Sequence, residues 1–165
     1  MTGHLVLHGE HIPIDCIGMR DRTWGRRPEN RPRRAAYVTA ALEPGDGFLA
    51  VTDIRDGHDT IAYGFLRRDG HTSTLAGGER WVERSADHGW ITRIEIEGTD
   101  ADGRLLHAVG HPVSRMMIDR HTFVDVNSLL RWEVDGDEAW GEDQDMWPVH
   151  DWSAHRRDQR QEQRP

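Results

Sequence analysis

Short runs of alternating or β-branched residues recur along this chain every dozen or so residues. Asp-Gly pairs such as Asp56-Gly57 and Asp135-Gly136 separate many of them, and these pairs accept the positive φ angles of tight hairpin turns. No window of helical length shows a 3.6-residue apolar period. The pattern therefore predicts an all-β fold, either an antiparallel barrel or a strongly curved β-sandwich. The predicted strands are 5–7, 12–18, 36–42, 47–54, 60–66, 72–75, 79–84, 90–96, 105–110, 113–118, 122–132 and 139–147.

One domain accounts for this pattern, because the 165 residues contain no internal repeat and fit a single core. We expect a single β-domain over residues 1–152. Segment 25–34 is rich in Arg and Pro and is predicted to be a mobile loop. Residues 153–165 are polar and have no apolar anchor after Trp152, which predicts a disordered tail. Within segment 90–97, the isoleucines do not all alternate in phase, which predicts a bulge near Thr92-Arg93.

Composition narrows the classes of function. The net charge is −8, which argues against a nucleic-acid partner although seven Arg lie within segment 20–34. A single cysteine, Cys16, excludes an intramolecular disulfide and a Cys-based zinc site. The chain has no apolar run of membrane-spanning length and its first residues do not resemble a signal peptide, so we expect a cytoplasmic protein without membrane insertion. The 11 His show no metal-ligand spacing, so no metal or other cofactor is predicted.

The first candidate site is segment 18–25, which is rich in Arg and ends in Trp24-Gly25. In an extended conformation Arg20 and Trp24 share one face, and Asp21 lies on the other. One interpretation is a site at a barrel mouth, where Asp21 transfers a proton and Arg20 and Trp24 contact the substrate. The alternative is a structural Arg–Asp network around a core Trp.

The second candidate site is segment 139–148. Alternation places Asp143, Asp145 and Trp147 on one strand face and Trp140 on the other. Two carboxylates at positions i and i+2 are close enough for one of them to keep its proton at higher pH, which would make it a usable general acid. The alternative is that both carboxylates pair with the Arg-rich segment 20–34.

Two polar residues interrupt the apolar run 122–132. Asn127 and Arg131 are four residues apart and therefore share a strand face. We predict that they line a ligand cavity together with the tryptophans Trp24, Trp140 and Trp147.

Segments 18–25 and 140–147, together with 64–70 and 97–103, resemble the C-terminal half of uncharacterised bacterial proteins in the lipocalin-like carotenoid 1,2-hydratase and AttH superfamily, which is calycin-like. The resemblance implies a β-barrel with an apolar cavity, in a superfamily that includes hydratases of isoprenoid double bonds and cyclases. Many relatives have His where this chain has Arg22, so a His-based proton role does not carry over. Larger members join two such domains, which implies that this chain forms a homodimer or binds a partner β-domain.

Three functions fit these observations. The first is a hydratase or cyclase that protonates an apolar isoprenoid, polyene or steroid-like substrate through Asp21, Asp143 or Asp145. Here Trp24 and Trp147 would stabilise the developing cation through their π faces. The second is a non-catalytic lipocalin-like protein that binds a small apolar ligand. The third is a half-barrel interaction module that a partner chain completes.

Overall fold

The computed structural model describes residues 1–18, 20, 33–43 and 45–162. It contains ten strands and one helix within those residues. The elements in chain order are β1 (Thr2–Leu7), β2 (Glu10–Asp15), β3 (Ala35–Ala41), β4 (Gly47–Arg55), β5 (His58–Arg68), β6 (His71–Arg84), β7 (Ile91–Asp100), β8 (Leu105–Asp119), β9 (Phe123–Val134), β10 (Asp137–Pro148) and α1 (Val149–Glu162).

Strands β3 to β10 form a closed antiparallel barrel in which β10 pairs with β3. The prediction of an all-β barrel is confirmed, and the open sandwich is not formed. Because the barrel closes within one chain, it needs no partner to complete it, and the half-barrel interpretation is wrong. Strands β1 and β2 form a separate two-stranded hairpin outside the barrel.

The turns predicted from Asp-Gly pairs lie at the hairpins. Asp56, Asp69 and Asp135 each adopt a positive φ angle of 51° to 54°, and each is followed by a glycine, as expected for tight turns. Two pairs of predicted strands are continuous instead. Segments 72–75 and 79–84 belong to β6, and 105–110 and 113–118 belong to β8, because register shifts after Leu75 and after Pro112 accommodate the breaks in alternation.

The predicted bulge in β7 is confirmed, since the β6–β7 register shifts between Glu83 and Arg84, opposite residues 91–93. The shift lets Ile91, Ile94 and Ile96 all point into the barrel, where each is 0 % exposed.

Antiparallel connection places alternate turns at opposite ends of the barrel. Residues 42–43, 45–46, 69–70, 101–104 and 135–136 lie at one end, which we call the Arg104 end. Residues 56–57, 85–90 and 120–122 lie at the other, together with α1, and we call this the α1 end.

The barrel interior is filled with apolar side chains through its middle and towards the Arg104 end. The rings of Phe48 and Trp132 pack edge to face with centroids 5.7 Å apart. Gly110 makes room for Trp132, because a Cβ at this position would lie 2.8 Å from the indole ring. The apolar cavity that the family resemblance implies is therefore occupied by the protein's own core over this part of the barrel.

Helix α1 replaces the predicted disordered tail over residues 153–162, so that part of the prediction is wrong. Trp152 packs against Trp147 with ring centroids 5.5 Å apart, and only 8 % of Trp152 is exposed. His155, one helical turn later, stacks on Trp147 at 4.9 Å. These two aromatic contacts hold α1 over its end of the barrel. Within the described residues, no helix has both the length and the apolar character of a membrane span.

Most of the predicted loop 25–34 lies outside the described residues, which include only Arg33 and Arg34 of that segment.

Candidate functional site

The polar interior of the barrel lies between the apolar core and α1. In β10, Asp143, Asp145 and Trp147 share one face, as the sequence predicts. That face points inward, opposite Ser128, Val126 and Val124 of β9. Asp143 is 0 % exposed and Asp145 is 1 % exposed. Carboxylates at this depth are costly unless they are paired, so their partners determine what the site can do.

Arg80 of β6 supplies the main partner. Its Nε donates to Asp143 Oδ2 at 2.8 Å, its Nη1 donates to Asp59 Oδ2 at 2.5 Å, and its Nη2 lies 3.7 Å from Asp145 Oδ1. The Arg80 side chain is fully buried. A single guanidinium thus joins three carboxylates from β5 and β10 across the barrel.

Arg84, four residues further along β6, binds the second carboxylate of the pair. Its Nη2 donates to Asp145 Oδ2, and its Nη1 donates to the carbonyl oxygen of Gly89 at 3.1 Å. Trp147 Nε1 also donates to Asp145 Oδ2, at 2.8 Å. Asp145 is therefore held by charge-assisted hydrogen bonds in a fixed position.

The two carboxylates titrate differently because their surroundings differ. Burial raises the pKa of Asp143 to about 7, and the neighbouring Asp145 charge adds to the rise, although Arg80 opposes it. Burial also acts to raise the pKa of Asp145, but Arg84, Arg80 and Arg34 outweigh it and lower this pKa below its usual value. Near neutral pH the pair thus shares about one proton, which resides on Asp143.

Arg34, the residue before β3, completes the polar layer. Its guanidinium carbon lies 3.7 Å from the centroid of the Trp147 ring, a cation–π contact, and the stacked His155 ring also contacts Trp147. Burial lowers the pKa of Arg34 in spite of the nearby Asp145 and Asp59 charges. Burial also lowers the pKa of His155, and the Arg84 and Arg34 charges lower it further, so the imidazole is neutral at neutral pH.

A cavity of about 450 Å³ opens at this end of the barrel, between the β4–β5 turn, β6 and α1. Asp143 and Asp145 do not line it, because they lie behind Arg80 and Arg84. The cavity therefore presents guanidinium groups, while the carboxylates that hold them stay buried. Its lining residues are Arg34, Ile54, Gly57, His58, Asp59, Glu79, Arg80, Trp81, Val82, Arg84, Trp147, His155 and Gln159.

The remaining predicted site residues lie elsewhere. Asp21 and Trp24 fall outside the described residues, and Arg20 is exposed. Asn127 and Arg131 share a face, as predicted, but it is the outer face of β9, and Trp140 is 48 % exposed on the outer face of β10. The prediction that these three line the barrel cavity is wrong, because the alternate residues of each strand occupy the interior.

Sequence reasoning missed Arg80, Arg84, Asp59 and His155. The first two carried a signal, because in segment 79–84 they alternate with Trp81 and Glu83 and so share a face with the apolar Val82. Two arginines in phase with an apolar residue indicate charges that face inward. The other two carried no comparable signal.

One group of described residues offers metal-ligating atoms, but it lies on the outer wall. Glu95 and Glu97 of β7 and His107 of β8 bring one ligand atom each to within 4.8 Å of one another. Arg93 already donates to Glu95 at 2.6 Å, and His107 lies 3.2 Å from the same carboxylate. The group is separate from the cavity at the α1 end.

Comparison with known proteins identifies a family without assigning an activity. A search of the curated proteins found no match, and a search of the solved structures found none either. A family model matches residues 1–148, which include the whole barrel and the carboxylate pair of β10. The chain therefore belongs to the family described as "Domain of unknown function (DUF7064)".

Proposed function

We propose that this chain is a lipocalin-like binding protein that holds a small molecule at the α1 end of its barrel. The observation that carries the proposal is the cavity of about 450 Å³, lined by guanidinium groups that buried carboxylates hold in place. Binding sites for small molecules have volumes of this order and combine an apolar lining with a few fixed polar groups. Fixed donors lose little conformational freedom when a ligand binds.

The position of the cavity sets the mode of binding. Since the core fills the middle of the barrel, the ligand occupies the end of the barrel and not its axis. Ile54 and Val82 offer apolar surface to the ligand body, whereas the Trp147 ring is already in contact with Arg34 and His155. Trp147 is thus a positioning residue for the arginines.

A cavity-filling substitution tests the proposal. The probes are decanoate and decanol, and binding is followed by nuclear magnetic resonance from the indole N–H signals of the tryptophans. Val82→Trp should weaken binding of the tighter probe at least tenfold, because the indole takes up cavity space. Val113→Trp is the matched control, since Val113 is 53 % exposed on β8. Binding of neither probe, or equal binding to wild type and Val82→Trp, would show that the cavity is not a ligand site.

The second candidate function is acid catalysis on an apolar isoprenoid, polyene or steroid-like substrate, in line with the resemblance to the carotenoid 1,2-hydratase and AttH superfamily. The raised pKa of Asp143 supports it, because a carboxyl group that is neutral near pH 7 is able to give up a proton there. Asp143 lies behind Arg80, so the substrate would have to displace Arg80 to receive this proton. Asp21 and Asp145 are the other candidate acids from the sequence.

The catalytic candidate is tested by turnover. Wild type, Asp21→Asn, Asp143→Asn and Asp145→Asn are incubated with a polyene alcohol, and addition or loss of water is followed by mass spectrometry. The proposal expects Asp143→Asn to abolish a reaction that wild type performs. If no variant is slower than wild type, none of these carboxyl groups is the acid.

A further inference from the structure

We infer that the ligand of the α1-end cavity is a monocarboxylic acid whose carboxylate binds Arg34 and Arg84. This inference rests on the binding function proposed above, and it adds the chemical class of the ligand.

The first argument is the balance of charge at the cavity wall. Three guanidinium groups line the cavity, those of Arg34, Arg80 and Arg84, whereas the lining carboxylates are two, Asp59 and Glu79. Arg80 and Arg84 are already paired with the buried carboxylates Asp143 and Asp145. Arg34 is the lining guanidinium without an ion pair among the described residues, so a ligand with one negative charge balances it and a phosphate dianion would overshoot.

The second argument is unused hydrogen-bonding capacity. Arg80 donates hydrogen bonds to Asp59 and Asp143, and its Nη2 lies 2.7 Å from Asp143 Oδ2. Arg34 has no carboxylate within ion-pair distance among the described residues, and its Nε is buried without a hydrogen-bond partner there. A buried guanidinium N–H without an acceptor is costly, and a ligand oxygen would remove that cost.

The third argument is geometry. The Trp147 ring holds both guanidinium groups, with the Arg34 carbon 3.7 Å and the Arg84 carbon 5.4 Å from the ring centroid. Arg84 is fixed further by Asp145 and by the carbonyl oxygen of Gly89. Two guanidinium groups that contact one indole bring planar donors to the same cavity, which suits the two oxygens of a carboxylate.

The other lining residues indicate the chemistry of the part of the ligand that is attached to the carboxylate. Ile54 and Val82 are the aliphatic side chains of the cavity wall, so an aliphatic chain attached to the carboxylate gains from burial there. The neutral His155 ring beside Trp147 adds no charge that would repel such a chain.

The test compares two probes of equal chain length on the full chain. Decanoate carries the carboxylate and decanol does not, and their dissociation constants are measured by the same tryptophan N–H titration. Wild type should bind decanoate at least about tenfold more tightly than decanol, the ratio expected for one charge-assisted hydrogen bond. Arg34→Met should remove that ratio, because only the carboxylate of decanoate uses the charge of the guanidinium.

Arg33→Met is the matched control for the loss of an arginine in the same segment. Arg33 is 78 % exposed and pairs with Asp53, so its removal should leave both dissociation constants as in wild type. We replace Arg34 and not Arg84, because Arg84 forms an ion pair with the buried Asp145 and removal of Arg84 would destabilise the fold.

The outcomes separate the two proposals. Loss of the decanoate preference in Arg34→Met alone supports the inference. If wild type binds both probes equally and Val82→Trp still weakens binding of both, the binding function is supported and the inference that the ligand is a carboxylate is refuted. The same holds if Arg33→Met and Arg34→Met reduce the preference equally. Binding of neither probe to wild type would overturn the binding function and the carboxylate inference together.

Discussion

Replacement of Asp143 by Asn should remove the pH dependence that this residue gives to stability. In the folded chain, burial and Asp145 raise the pKa of Asp143 from 3.8 to about 7. Between these two pH values the folded state binds the proton more strongly than the unfolded state does. The stabilisation from the neutral carboxyl group is therefore complete below pH 4 and is lost as the pH rises to 7.

The size of the effect follows from the shift. Three pKa units correspond to at most about 4 kcal/mol, lost at up to about 1.4 kcal/mol per pH unit. Asn has the shape of the neutral carboxyl group and does not titrate. The free energy of unfolding of Asp143→Asn, minus that of wild type, should thus rise by up to about 4 kcal/mol between pH 4 and pH 8.

Urea denaturation at five pH values, followed by tryptophan fluorescence, measures this difference directly. Asp145→Asn is the matched control, because Arg84, Arg80 and Arg34 together lower the pKa of Asp145 despite its burial. Its carboxylate stabilises the fold above its unfolded pKa, so Asp145→Asn should lower stability at pH 5. This loss should become smaller towards pH 8, because removal of the Asp145 charge also lowers the pKa of Asp143. A difference for Asp143→Asn that stays flat, or falls as the pH rises, would refute the assignment of the proton to Asp143.

Two further substitutions test the packing that supports the site. Gly141→Ala should lower the free energy of unfolding by about 2 kcal/mol or more, because the new Cβ would lie 1.8 Å from the Thr39 carbonyl oxygen. Gly77→Ala is the control, because a Cβ at Gly77 meets open space, and it should be neutral or slightly stabilising. Urea midpoints compare the two, and equal costs would contradict the predicted steric contact. Trp152→Ala should cost about 3 kcal/mol and release α1 from Trp147. Retention of full stability and of the helical circular dichroism signal would argue against that anchor.

The sequence predicts the strands and the inward carboxylates well, because both depend on local alternation. Asp143, Asp145 and Trp147 share a face in any extended conformation, and the apolar residues between the turns leave few other folds. Arg80 and Arg84 are different, because β6 and β10 are not neighbours in the barrel and meet only across its interior. No local pattern specifies a contact of that kind.

The errors have equally physical causes. Asn127 and Arg131 alternate with Val126, Ser128 and Leu130, and the more apolar set is the one that turns inward. The alternation is hard to recognise in the sequence because the apolar Leu129 lies on the outer face with Asn127 and Arg131, where it is 47 % exposed. The sequence did not predict helix α1, because the helix contacts the barrel through Trp152 and His155 and has no apolar period that repeats along its length.

The two ends of the barrel use the same Arg–Asp chemistry to different effect. At one end Arg104 Nε donates to Asp100 Oδ2 at 2.8 Å, and its other nitrogens donate to carbonyl oxygens such as that of Leu66 at 3.3 Å. The protein itself supplies the hydrogen-bond acceptors for the Arg104 guanidinium, which covers this end of the barrel. At the α1 end Arg34 keeps a buried Nε without an acceptor among the described residues, next to an open cavity. Because buried donors in folded proteins are almost always paired, the unpaired Nε of Arg34 beside this cavity supports the proposal that an external acceptor binds at the α1 end.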